Sequence, residues 1–240
     1  MHQYLCDHIP EIEETVIIEG NQAHHALNVI HLDHDRIRLI HDGRAWYADA
    51  YAQGKKLAAK VLEEDPWVNE LPWNVTLCMA LIRREKMELV LQKASELGAA
   101  RIVPFISSRC VVKRREERSD KQAERWKTIL TEAANQCKRN RIPELTEIVD
   151  FKELAAYKGD HSYLGYENVF GERPMLGEAL RPGSVTVVIG PEGGFSEEEV
   201  QALEDAGFET VSFGSRILRA ETAAVYALSV IGDCLERKGS

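Results

Sequence analysis

The apolar run Val185-Thr186-Val187-Val188-Ile189 opens directly into Gly190-Pro191-Glu192-Gly193-Gly194-Phe195-Ser196. A second strand-like run, Thr210-Val211-Ser212-Phe213, opens into Gly214-Ser215-Arg216-Ile217-Leu218-Arg219-Ala220-Glu221-Thr222-Ala223-Ala224. No other feature restricts the fold as much. In open α/β sheets, ligands sit in crevices at the carboxyl ends of strands, and glycine lets backbone approach a ligand where a Cβ would collide. Two such loops together are expected to hold a small molecule.

What the loops lack narrows the choice of ligand. A phosphate-binding P-loop requires G-x-x-x-x-G-K-[ST], and 190–196 has neither that spacing nor the lysine. The dinucleotide fingerprint G-x-G-x-x-G is also absent. Glu192 would repel phosphate, so a ligand with a cationic centre or free hydroxyls fits better.

Strand and helix signals alternate through most of the chain. Short alternating segments at 36–40 and 45–51, separated by the turn signal His41-Asp42-Gly43-Arg44, read as a small antiparallel barrel. Charge and proline at Glu63-Glu64-Asp65-Pro66 and Leu71-Pro72-Trp73 then place a boundary, giving domains 1–70 and 71–240. Beyond it, strands are expected at 75–82, 102–106, 162–165, 185–189 and 210–213. Met87, Val90, Leu91, Ala94 and Leu97 recur at helical spacing, as do Trp126, Ile129, Leu130, Ala133, Ala134 and Cys137. Ser196 with Glu199 forms a capping-box pattern, which puts the first glycine loop at the mouth of a helix. A last helix carries Ala224, Ala227, Leu228, Ile231, Cys234 and Leu235 on one face and ends near Arg237-Lys238-Gly239. The class is α/β, and periodicity alone draws an ordinary doubly wound sheet.

Composition bounds the rest. The 240 residues exceed the usual size of one compact unit. No apolar run approaches the roughly 20 residues that cross a bilayer, and the first residues lack the basic start and apolar core of a signal peptide, so a cytoplasmic protein is expected. The five cysteines are scattered and never form C-x-x-C, which indicates neither a disulfide framework nor a metal site. A net charge of −9 argues against gripping nucleic acid over the whole surface. Positive charge is local instead: Arg83-Arg84, Arg109 with Lys113, Arg114, Arg115 and Arg118, and Lys138-Arg139-Asn140-Arg141. For each cluster, phosphate binding and solvated surface are both open readings. The histidines at 24, 25, 31 and 34 fit no zinc spacing and read as surface or barrel packing. Trp46, Tyr47 and Tyr51 read as packing more readily than as base-stacking platforms.

Taken in order, the two glycine loops resemble those of the SPOUT class of RNA methyltransferases. Within that class they are similar to the ribosomal small subunit methyltransferase E family, which methylates N3 of a uridine in 16S rRNA. Gln92-Lys93-Ala94-Ser95-Glu96-Leu97-Gly98 and the stretch from Arg125-Trp126 to Lys138-Arg139 add weaker support. The resemblance implies a parallel sheet with a C-terminal trefoil knot, preceded by a PUA-like β-barrel, and a homodimer that completes each site. It implies S-adenosylmethionine as cofactor, with no metal, and 16S rRNA or the small ribosomal subunit as partner. By the same resemblance, Leu164, Gly165, Tyr166, Glu167, Ile189, Gly190, Pro191, Glu192, Gly193, Phe213, Gly214, Ser215, Ile217, Leu218 and Arg219 line the cofactor. The chain departs from the family at its N-terminus, where His2-Gln3-Tyr4 and Val29-Ile30-His31 stand where arginines are usual, and at Phe213, where leucine is usual.

N3 of uracil is a poor nucleophile while protonated, so such a site must accept that proton and stabilise an anion spread over O2 and O4. Arg219 and Arg216 are the candidates for stabilising the anion, and Glu221 or Glu192 for accepting the proton. Glu221 has a structural alternative, since a carboxylate in the first turn of a helix is stabilised by the dipole, and Arg219 could pair with it. Arg109, Lys113, Arg114, Arg115, Lys138 and Arg139 are the candidate RNA contacts. Two other functions stay open: methylation at another RNA position or a ribose 2′-OH, and a non-enzymatic RNA-binding or assembly role.

Overall fold

The structure is a computed structural model that describes residues 1–111 and 119–238. Its contacts divide the chain into two units, Met1–Glu70 with Ala134–Arg141, and Leu71–Ala133 with Ile142–Ser240.

The first unit is built on a five-stranded sheet ordered β1-β3-β4-β5-β2, from β1 (Gln3–Leu5), β2 (Thr15–Ile18), β3 (Asp35–His41), β4 (Arg44–Gln53) and β5 (Lys56–Asp65). A short helix α1 (Gly20–His24) runs into a π-helical turn, His25–Val29. The β3–β4 turn matches its sequence signal. Asp42 and Gly43 both have positive φ, 44° and 80°, as a two-residue hairpin turn following the strand twist requires. Alternation sends Ile37, Leu39, Trp46, Ala48 and Ala50 into the core with Leu57, Ala59 and Val61. Tyr47 and Tyr51 lie on the opposite face, where the Arg36 guanidinium sits 4.4 Å from the Tyr47 ring centre and His34 stacks on Tyr51. His24, His25, His31 and His34 are exposed.

Two features of this unit differ from the sequence reading. The sheet is not wholly antiparallel, because β1 pairs in parallel with β3. The acidic run Glu63-Glu64-Asp65, read as a boundary signal, is the end of strand β5. Each acid there meets an arginine: Glu63 pairs with Arg36, Glu64 with Arg44 and Asp65 with Arg38. Charges that look like a chain interruption in one dimension are neutralised across the sheet.

The second unit is a parallel sheet of β6 (Val75–Ala80), β7 (Arg101–Ile106), β8 (Glu144–Leu145), β9 (Val149–Asp150), β10 (His161–Gly165), β11 (Val185–Ile189) and β12 (Glu209–Val211). The order is β12-β10-β11-β6-β7-β8, with β9 also on β7. Its helices are α2 (Arg84–Glu96), α3 (Ser119–Gln136), α4 (Leu176–Ala179), α5 (Glu197–Asp205) and α6 (Ala220–Lys238). The apolar strands are continuous in sequence because both faces are covered. Leu77, Met79, Val187 and Ile189 pack with α2 and α6 residues, including Leu91 and Leu228. Cys78, Ala80 and Val188 pack on the other face with Phe195, Leu203 and Phe208. The last helix begins at Ala220, a turn before its first predicted core residue. Among the described residues, no helix is long and apolar enough to cross a membrane. All five cysteines are free thiols, and burial pushes the Cys78 thiol up to about 12.

Candidate active site

The carboxyl ends of β10, β11 and β12 lie side by side, so the segments that follow them surround one cleft of about 290 Å³. Steric relations between glycines and aromatic rings shape it. A Cβ on Gly165 would stand 2.5 Å from two ring carbons of Phe213, and a Cβ on Gly190 would stand 2.9 Å from the Phe195 ring. Phe195 is buried and stacks on Phe105 at 6.4 Å, which folds the first glycine loop back onto the core. The loop closes as a turn through Gly194 N–H donating to the Pro191 carbonyl at 3.0 Å. Gly194 has φ 67°, and a side chain there would also meet the Glu167 carboxylate.

The turn leads directly into α5. Glu199 N–H donates to Ser196 Oγ (3.2 Å) and Ser196 N–H donates to Glu199 Oε2 (3.0 Å), which completes the capping box. Glu199 Oε1 also accepts from Ser108 N–H at 2.8 Å, so this buried carboxylate ties the loop after β7 to the glycine loop. Ser196→Ala is expected to cost about 1 kcal/mol of stability through the lost cap, read as a lowered urea midpoint with an unchanged slope.

Most residues singled out from sequence converge here. Gly165, Tyr166, Ile189, Gly190, Pro191 and Glu192 line the cleft, as do Phe213, Gly214, Arg216, Ile217, Leu218 and Arg219. Ile217 is 80 % exposed at its rim. Leu164 is fully buried in the core behind the cleft. Gly193 faces away from it: a Cβ there would stand 3.1 Å from the Arg109 Cβ and carbonyl oxygen, and Arg109 donates to the Gly193 carbonyl at 3.4 Å. Ser215 is exposed and does not line the cleft.

Glu167 and Gly194 line the cleft too, and one further lining residue, Lys86, lay outside the sequence reading. Lys86 is in the first turn of α2, the helix that follows β6, and was hidden beside Met87 in a pattern read only for its apolar face. Its ammonium is 3.2 Å from Glu221 Oε2 and 3.7 Å from Glu192 Oε1. Glu221, in the first turn of α6, is thus partnered by Lys86 rather than by Arg219. Its Oε2 is buried without a hydrogen bond, so Lys86 supplies opposite charge from off the hydrogen-bonding direction. Glu192 also accepts from Arg83 N–H at 3.4 Å.

The basic candidates fare differently. Arg109 is exposed beside the glycine loop. Lys113, Arg114 and Arg115 lie outside the described residues. Lys138 is half-buried and donates to the Asn135 carbonyl at 3.2 Å; burial, then the nearby Arg38 charge, hold its ammonium below the usual lysine range. Arg139 departs from the surface position expected of it. It is 3 % exposed and grips Glu70, whose carboxylate also accepts from the Asn140 and Arg141 amides.

The RNA methyltransferase domain family matches residues 69–232. Ribosomal RNA small subunit methyltransferase E of Bacillus subtilis is 34 % identical, over 92 % of this chain and 91 % of that protein. The chain belongs to the ribosomal RNA small subunit methyltransferase E family. The crystal structure of the methyltransferase E from Neisseria gonorrhoeae bound to S-adenosyl methionine aligns with a TM-score of 0.88 at 31 % identity, over 97 % of each chain. A putative methyltransferase from Legionella pneumophila, in complex with the same cofactor, aligns with a TM-score of 0.88 at 29 % identity, over 96 % of each chain. Methyltransferase E relatives therefore share both units of this chain and the sheet that carries the cleft.

Proposed function

We propose that this chain transfers the methyl group of S-adenosylmethionine to N3 of a uridine in 16S rRNA of the small ribosomal subunit. The observation that carries the reading is the convergence of three strand ends on one cleft that is lined by the carboxylates Glu167 and Glu192 and in which Gly165, Gly190 and Gly194 leave no room for a Cβ. That donor set fits the cofactor: Glu167 and Glu192 suit ribose hydroxyls and a cationic sulfonium, and the backbone of 189–192 and 213–218 suits the adenine. When bound, the cofactor supplies an electrophilic methyl carbon. The chain's own work is to hold the nucleophile in line with it, to take the N3 proton on a carboxylate, and to face the uracil oxygens with Arg216 and Arg219. The N3 electron pair then forms the new C–N bond and sulfur keeps the old bonding pair.

The path from β11 through α5 to β12 crosses β10, which supports reading the C-terminal loops as a trefoil knot. The five-stranded first unit supports a PUA-like, RNA-contacting domain. The exposed Ile217 on the rim supports a second copy of the chain completing the site. Arg109 and Lys138 remain the described candidates for phosphate contact, and a cytoplasmic location follows from a ribosomal substrate. The test is methyl transfer from labelled S-adenosylmethionine to small subunits lacking the modification, with mass spectrometry of the digested nucleosides. Recovery of 3-methyluridine is expected. Another methylated nucleoside would overturn the target, and cofactor binding without transfer would favour an RNA-binding role.

A further inference from the structure

Glu192 and Glu221 reach the same place from different motifs. Glu192 comes from the loop after β11, and Glu221 from the helix that follows the loop after β12. Like charges that share a site repel, which favours protonating one of them. Here the Lys86 ammonium stands within 4 Å of both, at 3.7 Å from Glu192 and 3.2 Å from Glu221. The three side chains are 14–28 % exposed, so solvent screens them only in part. The group as a whole carries one net negative charge.

We propose that Lys86 is a positioning residue of the methyl-transfer site, whose ammonium holds Glu192 and Glu221 together as an ionised pair. The proposal rests on the methyltransferase reading for its role in the reaction. Its effect on the two carboxylates stands apart from that reading. Two consequences follow for the chemistry. The Lys86, Glu192 and Glu221 group keeps one surplus negative charge, which complements a single sulfonium cation. A carboxylate held beside the ammonium is also available to receive the N3 proton. Glu192 is the one that lines the cleft with Lys86, whereas Glu221 lies outside the lining and its Oε2 is buried.

The remaining charges around the group do not replace Lys86. Glu167, Arg216 and Arg219 line the cleft with it, and neither arginine forms an ion pair with Glu192 or Glu221 among the described contacts. On its own helix, Arg84 pairs with Glu88 at 2.9 Å, and Glu88 also takes Arg125 from α3. Glu85 is exposed.

The test has one readout that needs no substrate and one that does. Carboxyl-carbon NMR titration of the full chain labelled at glutamate is run for the native protein, Lys86→Met and Lys86→Arg, with Glu192→Gln and Glu221→Gln giving the assignments. In Lys86→Met one of the two carboxylates is expected to titrate at least about one pH unit higher, a tenfold change in its proton affinity, and in Lys86→Arg neither should move. Single-turnover methyl transfer should show the same displacement in the acid limb of the pH–rate profile, with about a tenfold loss on that limb for Lys86→Met, little loss at neutral pH, and recovery in Lys86→Arg. A purely structural lysine would scale the rate equally at every pH. Unchanged titration of both carboxylates in Lys86→Met overturns the proposal, as does an acid limb that stays where it was. Failure of the native protein to transfer a methyl group would count against the reaction, and the titration would still decide the role of Lys86.

Discussion

Gly165→Ala is expected to weaken S-adenosylmethionine binding by at least about tenfold, or roughly 1.4 kcal/mol, while the chain still folds. The added methyl would stand 2.5 Å from Cε2 and Cζ of Phe213, closer than any real Cβ contact, and 3.4 Å from Ile189 Cδ1. The Phe213 ring cannot simply tilt away, because it packs on Tyr226 with centroids 5.5 Å apart. It must turn into the cleft that both residues line. Overpacking of this kind costs about 1–3 kcal/mol wherever it is relieved, and here relief occupies ligand space. Calorimetric titration of the native chain, Gly165→Ala, Phe213→Ala and the double variant checks the argument. Removing the ring in the Gly165→Ala background should restore part of the affinity, giving a coupling of opposite sign to the single losses. Strictly additive losses would mean that the ring and the glycine do not share the space.

The same contact shows why some of the site was legible and some was not. Glycines and strand ends are local features: an apolar run followed by Gly190 or Gly214 already says that backbone turns there without side chains. The α5 capping box was equally readable, since Ser196 and Glu199 find each other within one turn. Which ring fills the space over Gly165 is a property of two strands 48 residues apart in sequence and adjacent only in the sheet. Lys86 was hidden for a related reason. Helical periodicity assigns Met87, Val90 and Leu91 to the core and leaves their neighbours as solvent-facing, yet the first turn of a helix after a parallel strand opens on the same edge as the other strand ends. A cation at that position was the available signal. The arginines of the basic clusters misled in the opposite direction, since charge in sequence says nothing of a partner such as Glu70, 69 residues from Arg139.

Asp65→Ala is expected to cost the first unit about 3–5 kcal/mol, the usual penalty for leaving one member of a buried ion pair alone. Arg38 and Asp65 each have side chains only 3 % exposed and meet at 2.7 Å. The guanidinium uses all five of its donors: Nε goes to Asp65, Nη1 to Gln3 and the Lys138 carbonyl, and Nη2 to the Trp67 carbonyl and Asn140. The residues it gathers come from β1, from the segment after β5 and from Ala134–Arg141, which accounts for the membership of that last segment in the first unit. Replacing the pair by Arg38→Met with Asp65→Leu should therefore not be neutral, as it often is for an isolated buried pair, because the Lys138 and Trp67 carbonyls would lose a donor. The charge has a pH signature as well. Burial alone would raise the Asp65 carboxyl, but the hydrogen bonds from Arg38 and the Trp67 amide, with the Arg38 charge, outweigh it and hold the carboxyl below the usual range. A carboxyl depressed in the folded state stabilises fully above its unfolded value of about 3.9 and loses that contribution as pH falls through the folded value. Urea unfolding of the native chain should thus weaken below about pH 4, and the gap between it and Asp65→Ala should narrow there. A gap that stays constant from neutral pH into that range would show that packing, not the buried charge, sets the cost.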